Sequence, residues 1–128
     1  MKLTLALPIL AVAAVTLAAC GHTPPPPTTV GQTSLGPVLT DAKGMTLYTF
    51  DRDPNGKSAC NGPCATNWPP LVSDDSTFPT GAYSFVLRED GREQWAYKGK
   101  PLYTWSKDAK PGDTTGENFN NVWHVARP

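Results

Sequence analysis

The sequence lacks most of what would point to an enzyme or a nucleic-acid partner. Lysine plus arginine and aspartate plus glutamate each number 11, so the formal net charge is zero. With no basic stripe, the chain has no electrostatic footprint for nucleic acid. There are two histidines, His22 and His124, and three cysteines, Cys20, Cys60 and Cys64. That leaves no second ligand pair for zinc beside Cys60-x-x-x-Cys64, and no histidine after Cys64 for haem attachment. Serine, histidine and aspartate occur without a nucleophile-elbow motif. No segment keeps a helical period for long, and no apolar run reaches the ~20 residues of a membrane span. These absences leave no catalytic residue, no metal ligand and no cofactor to assign.

What is present begins at the N-terminus. Lys2 precedes an apolar stretch, Leu3 to Ala19, broken only by Pro8 and the small polar Thr4 and Thr16. It ends in Leu17-Ala18-Ala19-Cys20-Gly21. This is the lipobox pattern, in which small residues admit the processing peptidase and the cysteine thiol accepts diacylglycerol. Residues 1–19 therefore read as a signal peptide, and Cys20 as the lipid-modified first residue of an exported chain. Each buried acyl methylene contributes ~0.8 kcal/mol, so several chains on one residue anchor it durably in a membrane. Gly21 in place of aspartate resembles the sorting signal for an outer membrane. Pro24 to Pro27 and Thr28-Thr29 then form an extended polyproline tether, with His22 solvated inside it. Residues 20–35 are assigned to the lipidated cysteine and tether. The partners expected are a membrane and an unidentified envelope component.

From about Val30 the chain is one small domain. Short β-rich runs bounded by turn residues dominate: Val38–Thr40, Thr46–Phe50, Tyr83–Leu87, Gln94–Tyr97, Leu102–Trp105 and Val122–Val125. Asp90-Gly91, Lys43-Gly44 and Lys98-Gly99 stand where hairpin turns should fall. Ala65–Trp68 is predicted to make one helical turn that Pro69-Pro70 stops. The fold class is all-β with little helix.

Within this domain lies a duplication. Lys43-Gly44-Met45-Thr46-Leu47-Tyr48-Thr49-Phe50-Asp51-Arg52-Asp53 returns as Lys98-Gly99-Lys100-Pro101-Leu102-Tyr103-Thr104-Trp105-Ser106-Lys107-Asp108, an offset of 55 (98 − 43). The same offset pairs Gly36 with Gly91 and Trp68 with Trp123, with no gap needed. Self-similarity at this period implies two copies of one supersecondary unit. Each unit reads as a hairpin, a loop and a returning strand led by tryptophan, over about 36–72 and 83–128 of a domain at 36–128. The two should pack as a pseudo-twofold pair. Strand alternation puts Tyr48 and Phe50 on one face and Leu47 and Thr49 on the other, with Tyr103 and Trp105 opposite Leu102 and Thr104. Both faces carry apolar groups, so these strands should be central. Asp53 and Asp108 sit at strand ends, where a carboxylate can accept backbone N–H bonds and close a turn.

Tyr48-x-Phe50-x-x-Asp53 and Tyr103-x-Trp105-x-x-Asp108 resemble the Yx(FWY)xxD motif of a bacterial secreted lipoprotein-repeat family. The surrounding Gly36-x-Val38-Leu39-Thr40-Asp41, Cys60-x-x-x-Cys64, Trp68-Pro69-Pro70-Leu71 and Pro111-Gly112-Asp113-Thr114-x-Gly116 resemble it too. The resemblance implies export, lipidation and a two-repeat domain. It supplies no reaction and no catalytic residue.

Three chemistries remain to weigh. Cys60 and Cys64, left over once Cys20 is lipidated, read most simply as a disulfide, with Asn61-Gly62-Pro63 as its turn. A redox-active pair would call for C-x-x-C at a helix start in a βαβ unit, a context that is missing here. Asp51-x-Asp53-x-Asn55-Gly56 resembles the start of a calcium loop, but its twelfth position is Gly62 rather than glutamate, and a solvated turn is the better reading. Asp74-Asp75 reads as a mobile acidic loop. Three hypotheses follow: a non-enzymatic envelope module; a metal or small-ligand protein using Asp51, Asp53, Asp108 and His124; and a thiol-disulfide protein using Cys60 and Cys64.

Overall fold

The structure, a computed structural model, describes residues 1–14 and 24–128. The lipobox at 17–21, with Cys20, and His22 lie outside the described residues. Residues 1–14 carry no helix or strand. Among the described residues, no helix is long and apolar enough to cross a membrane.

The fold is all-β, with seven short strands: β1 Thr29–Thr33, β2 Gly36–Thr40, β3 Tyr48–Phe50, β4 Tyr83–Leu87, β5 Glu93–Tyr97, β6 Lys100–Pro101 and β7 Trp123–Val125. They pair antiparallel as β1–β2, β3–β7 and β4–β5–β6. The helical content is α1, Pro63–Asn67, and a 3-10 turn at Phe119–Asn121. The expected turn at 65–68 is therefore present, begun by Pro63 at a position where its missing N–H costs nothing.

Two expectations about strands change. The folded region starts earlier than residue 36: Thr29 pairs with Thr40, and Thr28 is 4% exposed with its hydroxyl on that of Tyr83. β1 escaped notice because main-chain bonds to β2 hold it; its own Val30 is 55% exposed, so no hydrophobic alternation marks it. The run Leu102–Trp105 is extended but divides its bonds among several neighbours. Leu102 donates to Trp95, Tyr103 to Tyr48, Thr104 to Pro69 and Ser106 to Asn67.

The duplication is structural, and its halves are interleaved rather than set side by side. Tyr48 N–H donates to the Tyr103 carbonyl at 2.8 Å, and Tyr103 N–H to the Tyr48 carbonyl at 3.0 Å. A residue that pairs reciprocally with its own counterpart marks a local twofold axis. The returning strand of each repeat crosses that axis. β7 of the second repeat pairs with β3 of the first, while Leu71 of the first bonds Leu102 and Trp95 of the second.

The correspondence between repeats is not gap-free. Leu39 N–H donates to the Ala126 carbonyl as Trp95 N–H does to that of Leu71, both at 2.8 Å, so Leu39 matches Trp95 at an offset of 56 (95 − 39). The β4–β5 turn spends one more residue than Ser34-Leu35, and Lys98-Gly99 one fewer than the turn at 42–44. The two changes cancel, which restores 55 beyond them. Gly36 and Gly91 are consequently not counterparts: Gly36 opens β2 opposite Thr33, whereas Gly91 ends a loop.

Alternation on the central strands builds two cores. One gathers Val38, Tyr48, Cys60, Trp68, Tyr103, Trp105, Trp123 and Val125; the other gathers Leu39, Leu47, Trp95, Leu102 and Ala126. Neighbouring residues such as Leu47 and Tyr48, both 0% exposed, serve opposite cores.

Candidate functional site

The motif tyrosines lie in the first core, and their hydroxyls reach across the axis. Tyr48 Oη donates to Asp108 Oδ2 at 2.6 Å, and Tyr103 Oη donates to Asp53 Oδ2 at 2.6 Å. Each repeat's tyrosine is thus held by the other repeat's aspartate. The second carboxylate oxygen closes the local turn, as strand-end aspartates should: Asp53 Oδ1 accepts from Ala59 N–H at 2.7 Å, and Asp108 Oδ1 from Thr115 N–H at 3.0 Å. Burial first, and then the aspartate partner, drives both phenol pKa values well above the ordinary range, so both hydroxyls stay protonated donors. Burial also raises the Asp53 pKa, against the hydrogen bonds from Tyr103 and Ala59 and the charge of Arg88.

Between the tyrosines stands a column of four rings. Phe50 stacks on Trp123 at 4.3 Å, Trp123 on Trp68 at 3.8 Å and 2°, and Trp68 on Trp105 at 4.0 Å. Tyr48 meets Trp68 edge-on at 5.3 Å, and Tyr103 meets Trp123 at 5.0 Å. Such pairs each add about 0.5–1.5 kcal/mol beyond the area they bury. Gly116 closes this column: a Cβ there would stand 2.6 Å from Trp68 and 3.0 Å from Tyr48.

The two tyrosine sites differ in their third partner. The Tyr48 hydroxyl accepts from Gly116 N–H at 3.3 Å. Tyr103 instead joins a polar chain that begins at Arg88, which is 3% exposed. Arg88 donates to Ser58 Oγ at 2.9 Å, Ser58 lies 2.7 Å from Tyr103 Oη, and Tyr103 donates to Asp53. Arginine can only donate and the Tyr103 hydroxyl already donates its proton to Asp53, so Ser58 must donate to Tyr103. The order of donors therefore runs from cation to carboxylate. Arg88 also donates to Gln94 Oε1 and the Cys60 carbonyl, both at 2.9 Å. It thereby pins the loop that the Cys60–Cys64 disulfide closes across a Cα separation of 5.2 Å. Sequence reasoning passed over Arg88, because nothing in its neighbourhood marks a charged residue as buried.

The cation-ligand set Asp51, Asp53, Asp108 and His124 is not brought together. Asp53 and Asp108 are taken by opposite tyrosines. Asp51 and His124 meet, with Nε2 2.7 Å from Asp51 Oδ2, while Nδ1 is 3.4 Å from Glu117 Oε1. Carboxylates on opposite nitrogens of one ring do not converge on an ion. Among the described residues, no cluster of three or more His, Cys, Asp or Glu is arranged to hold a metal. Burial lowers the His124 pKa, but the hydrogen bonds and charges of Asp51 and Glu117 outweigh it, and the net shift is upward.

Beside this pair lies a groove that sequence reasoning did not anticipate. It runs between the β3–β7 ladder and the β5–β6 turn as a cleft of about 330 Å³, lined by Thr49, Asp51, Lys98, Lys100, His124 and Arg127 among others. It continues into a second cleft of about 380 Å³ that shares Thr49, Asp51, Lys98 and Lys100 and reaches Asp53 and Asn55. Lys98-Gly99 was legible as a turn; nothing in the pattern brings Arg127 to it from the C-terminus.

No curated protein and no solved structure matches the chain. The family model Lipoprotein_15, described as a secreted repeat of unknown function, matches it twice, over residues 29–72 and 84–127. The first match starts at β1, in agreement with the earlier start of the fold, and together the two copies cover more than half of the sequence. The chain therefore belongs to this family of secreted repeats, as a protein of two copies.

Proposed function

We propose that this protein is a non-enzymatic binding or structural module of the cell envelope. Lipid on Cys20 holds it to a membrane, the outer membrane in a cell that has one. The observation that carries the reading is the internal commitment of the motif. The Tyr48 and Tyr103 hydroxyls, the Asp53 and Asp108 carboxylates and the Cys60 and Cys64 sulfurs are all engaged with one another or with nearby backbone. The tyrosine–aspartate bonds join the two repeats, the disulfide closes a loop within the first, and groups held in this way are not offered to a substrate.

Two measurements test this. Cells fed a palmitate analogue should label the wild-type chain but not Cys20→Ser, which should move to the soluble fraction; equal labelling of both would remove the anchor. Tyr48→Ala and Trp105→Ala should lower the melting temperature. Unchanged stability, with loss of a partner captured by cross-linking in the envelope, would make the motif a binding site and overturn its role as core.

A further inference from the structure

We propose that the groove between the β3–β7 ladder and the β5–β6 turn is a binding site for a phosphate-bearing ligand. The proposal deepens the binding half of the function above and rests on it.

Lys98, Lys100 and Arg127 bring three cationic groups to one cleft. Among the described residues the Lys100 side chain forms no ion pair or hydrogen bond, and the Lys98 ammonium lies over the ring of its neighbour Tyr97, at 5.1 Å. Arg127 donates one N–H to the Leu35 carbonyl at 2.8 Å, which fixes the guanidinium at the groove's edge and leaves other N–H groups free to donate. The acidic groups beside the cleft have partners of their own: Asp51 gives one oxygen to His124, and Asp53 gives both of its oxygens to Tyr103 and Ala59. What faces an incoming ligand is an excess of positive charge on a chain whose net charge is zero. Three cationic residues lining one cleft suit the multiple charge and several acceptor oxygens of phosphate better than a single carboxylate. A cleft of about 330 Å³ has room for more than the bare ion, so the phosphate would be one group of a larger molecule.

The duplication sets most of these charges apart from what the two repeats share; only Lys98 has a lysine, Lys43, as its counterpart. At an offset of 55, Lys100, His124, Arg127 and Asp51 correspond to Met45, Pro69, Val72 and Ser106. Lys100, His124 and Arg127 of the second repeat and Asp51 of the first thus have uncharged counterparts, whereas both repeats keep the Tyr48/Tyr103, Asp53/Asp108 and Trp68/Trp123 pairs. Backbone geometry adds a second observation. Lys98 has φ 50° and Gly99 φ 80°, the double positive φ of a type I′ turn, in which asparagine suits the first position. A lysine held there costs about 1 kcal/mol. Strain of this kind is concentrated at functional positions.

The test is isothermal titration of the full, lipidated chain in detergent, with inorganic phosphate against chloride at equal ionic strength. A second arm uses short-chain phosphatidylglycerol against short-chain phosphatidylcholine, to separate free phosphate from a lipid headgroup as the source. Lys100→Gln and Arg127→Gln should each weaken binding about tenfold, the loss expected for one hydrogen bond to a charged group. Lys43→Gln, an exposed lysine outside the groove, should leave binding unchanged. Lys98→Asn should weaken binding while raising the melting temperature, a pair of effects that misfolding cannot produce. Saturable binding in either arm with this pattern supports the site and assigns the source. No binding in both arms, or binding equally reduced by Lys43→Gln, overturns it. Either negative result leaves palmitate labelling and core stability untouched, so it stays separable from failure of the broader reading.

Discussion

The crossed tyrosine–aspartate bonds make a prediction that the sequence order alone would reverse. In the motif, Tyr48 and Asp53 stand in one run, yet the hydroxyl of Tyr48 is held by Asp108, 60 residues away. Tyr48→Phe removes a hydrogen bond to a charged acceptor, worth about 1.5–3 kcal/mol. It also leaves the Gly116 N–H without its buried acceptor, which adds about 1 kcal/mol or more. A loss of about 3 kcal/mol lowers the melting temperature of a domain this size by roughly 12–24 °C. Tryptophan fluorescence in urea measures it directly, because three tryptophans lie in the same core and Trp68 touches the Tyr48 ring. The decisive measurement is a pair of double-mutant cycles. Tyr48→Phe combined with Asp108→Ala should show a coupling of about 1 kcal/mol or more, while Tyr48→Phe with Asp53→Ala should be additive within about 0.5 kcal/mol. Strong coupling in the second cycle and none in the first would refute the interleaved arrangement.

Other outcomes follow from the same geometry. Gly116→Ala should destabilise by about 3 kcal/mol, since its Cβ would press on the Trp68 ring, fixed by stacking, and on the Tyr48 ring, fixed by its bond to Asp108; a melting temperature within a few degrees of wild type would show that the column yields. Reducing Cys60–Cys64 should cost about 2 kcal/mol, the most that so short a loop provides, and two-state unfolding should persist because Arg88 still holds the Cys60 carbonyl. His124 is shifted upward from 6.5 in the folded state, so its contribution is complete below that pH and is lost as pH rises through the folded value. The urea midpoint should accordingly fall on going from pH 6 towards pH 8, by less in His124→Gln; equal slopes in both proteins would remove the Asp51 and Glu117 contacts from the account.

Much of this architecture was legible before any coordinates. Alternation of Leu47 against Tyr48 and of Leu102 against Tyr103 placed each residue on its core, because burial on both faces leaves a two-residue period that sequence displays. The duplication was legible for the same reason: the residues it keeps are the ones the cores need. Four features stayed hidden. β1 lies at an edge and is held by its backbone. The cancelling changes in the two hairpin turns leave the offset of the cores intact. The crossing of tyrosine and aspartate depends on which repeat a carboxylate faces, and spacing along the chain carries no information about that. The cationic groove was hidden by its dispersal over β5–β6, β7 and the C-terminus.

The exchange of returning strands also bears on how the protein withstands proteolysis once secreted. Residues 73–81, which join the repeats, contain the exposed Phe78 and no strand or helix. Such an exposed link is a preferred site for proteolytic cutting. Yet the first half keeps Leu71 against Leu102 and Trp95, and the second keeps β7 against β3, so a severed chain remains clasped as two complementary fragments. Neither half can leave without opening both cores together. The link between repeats is then free to be cut or lengthened, and the unit that resists unfolding is the clasp and not the continuous chain.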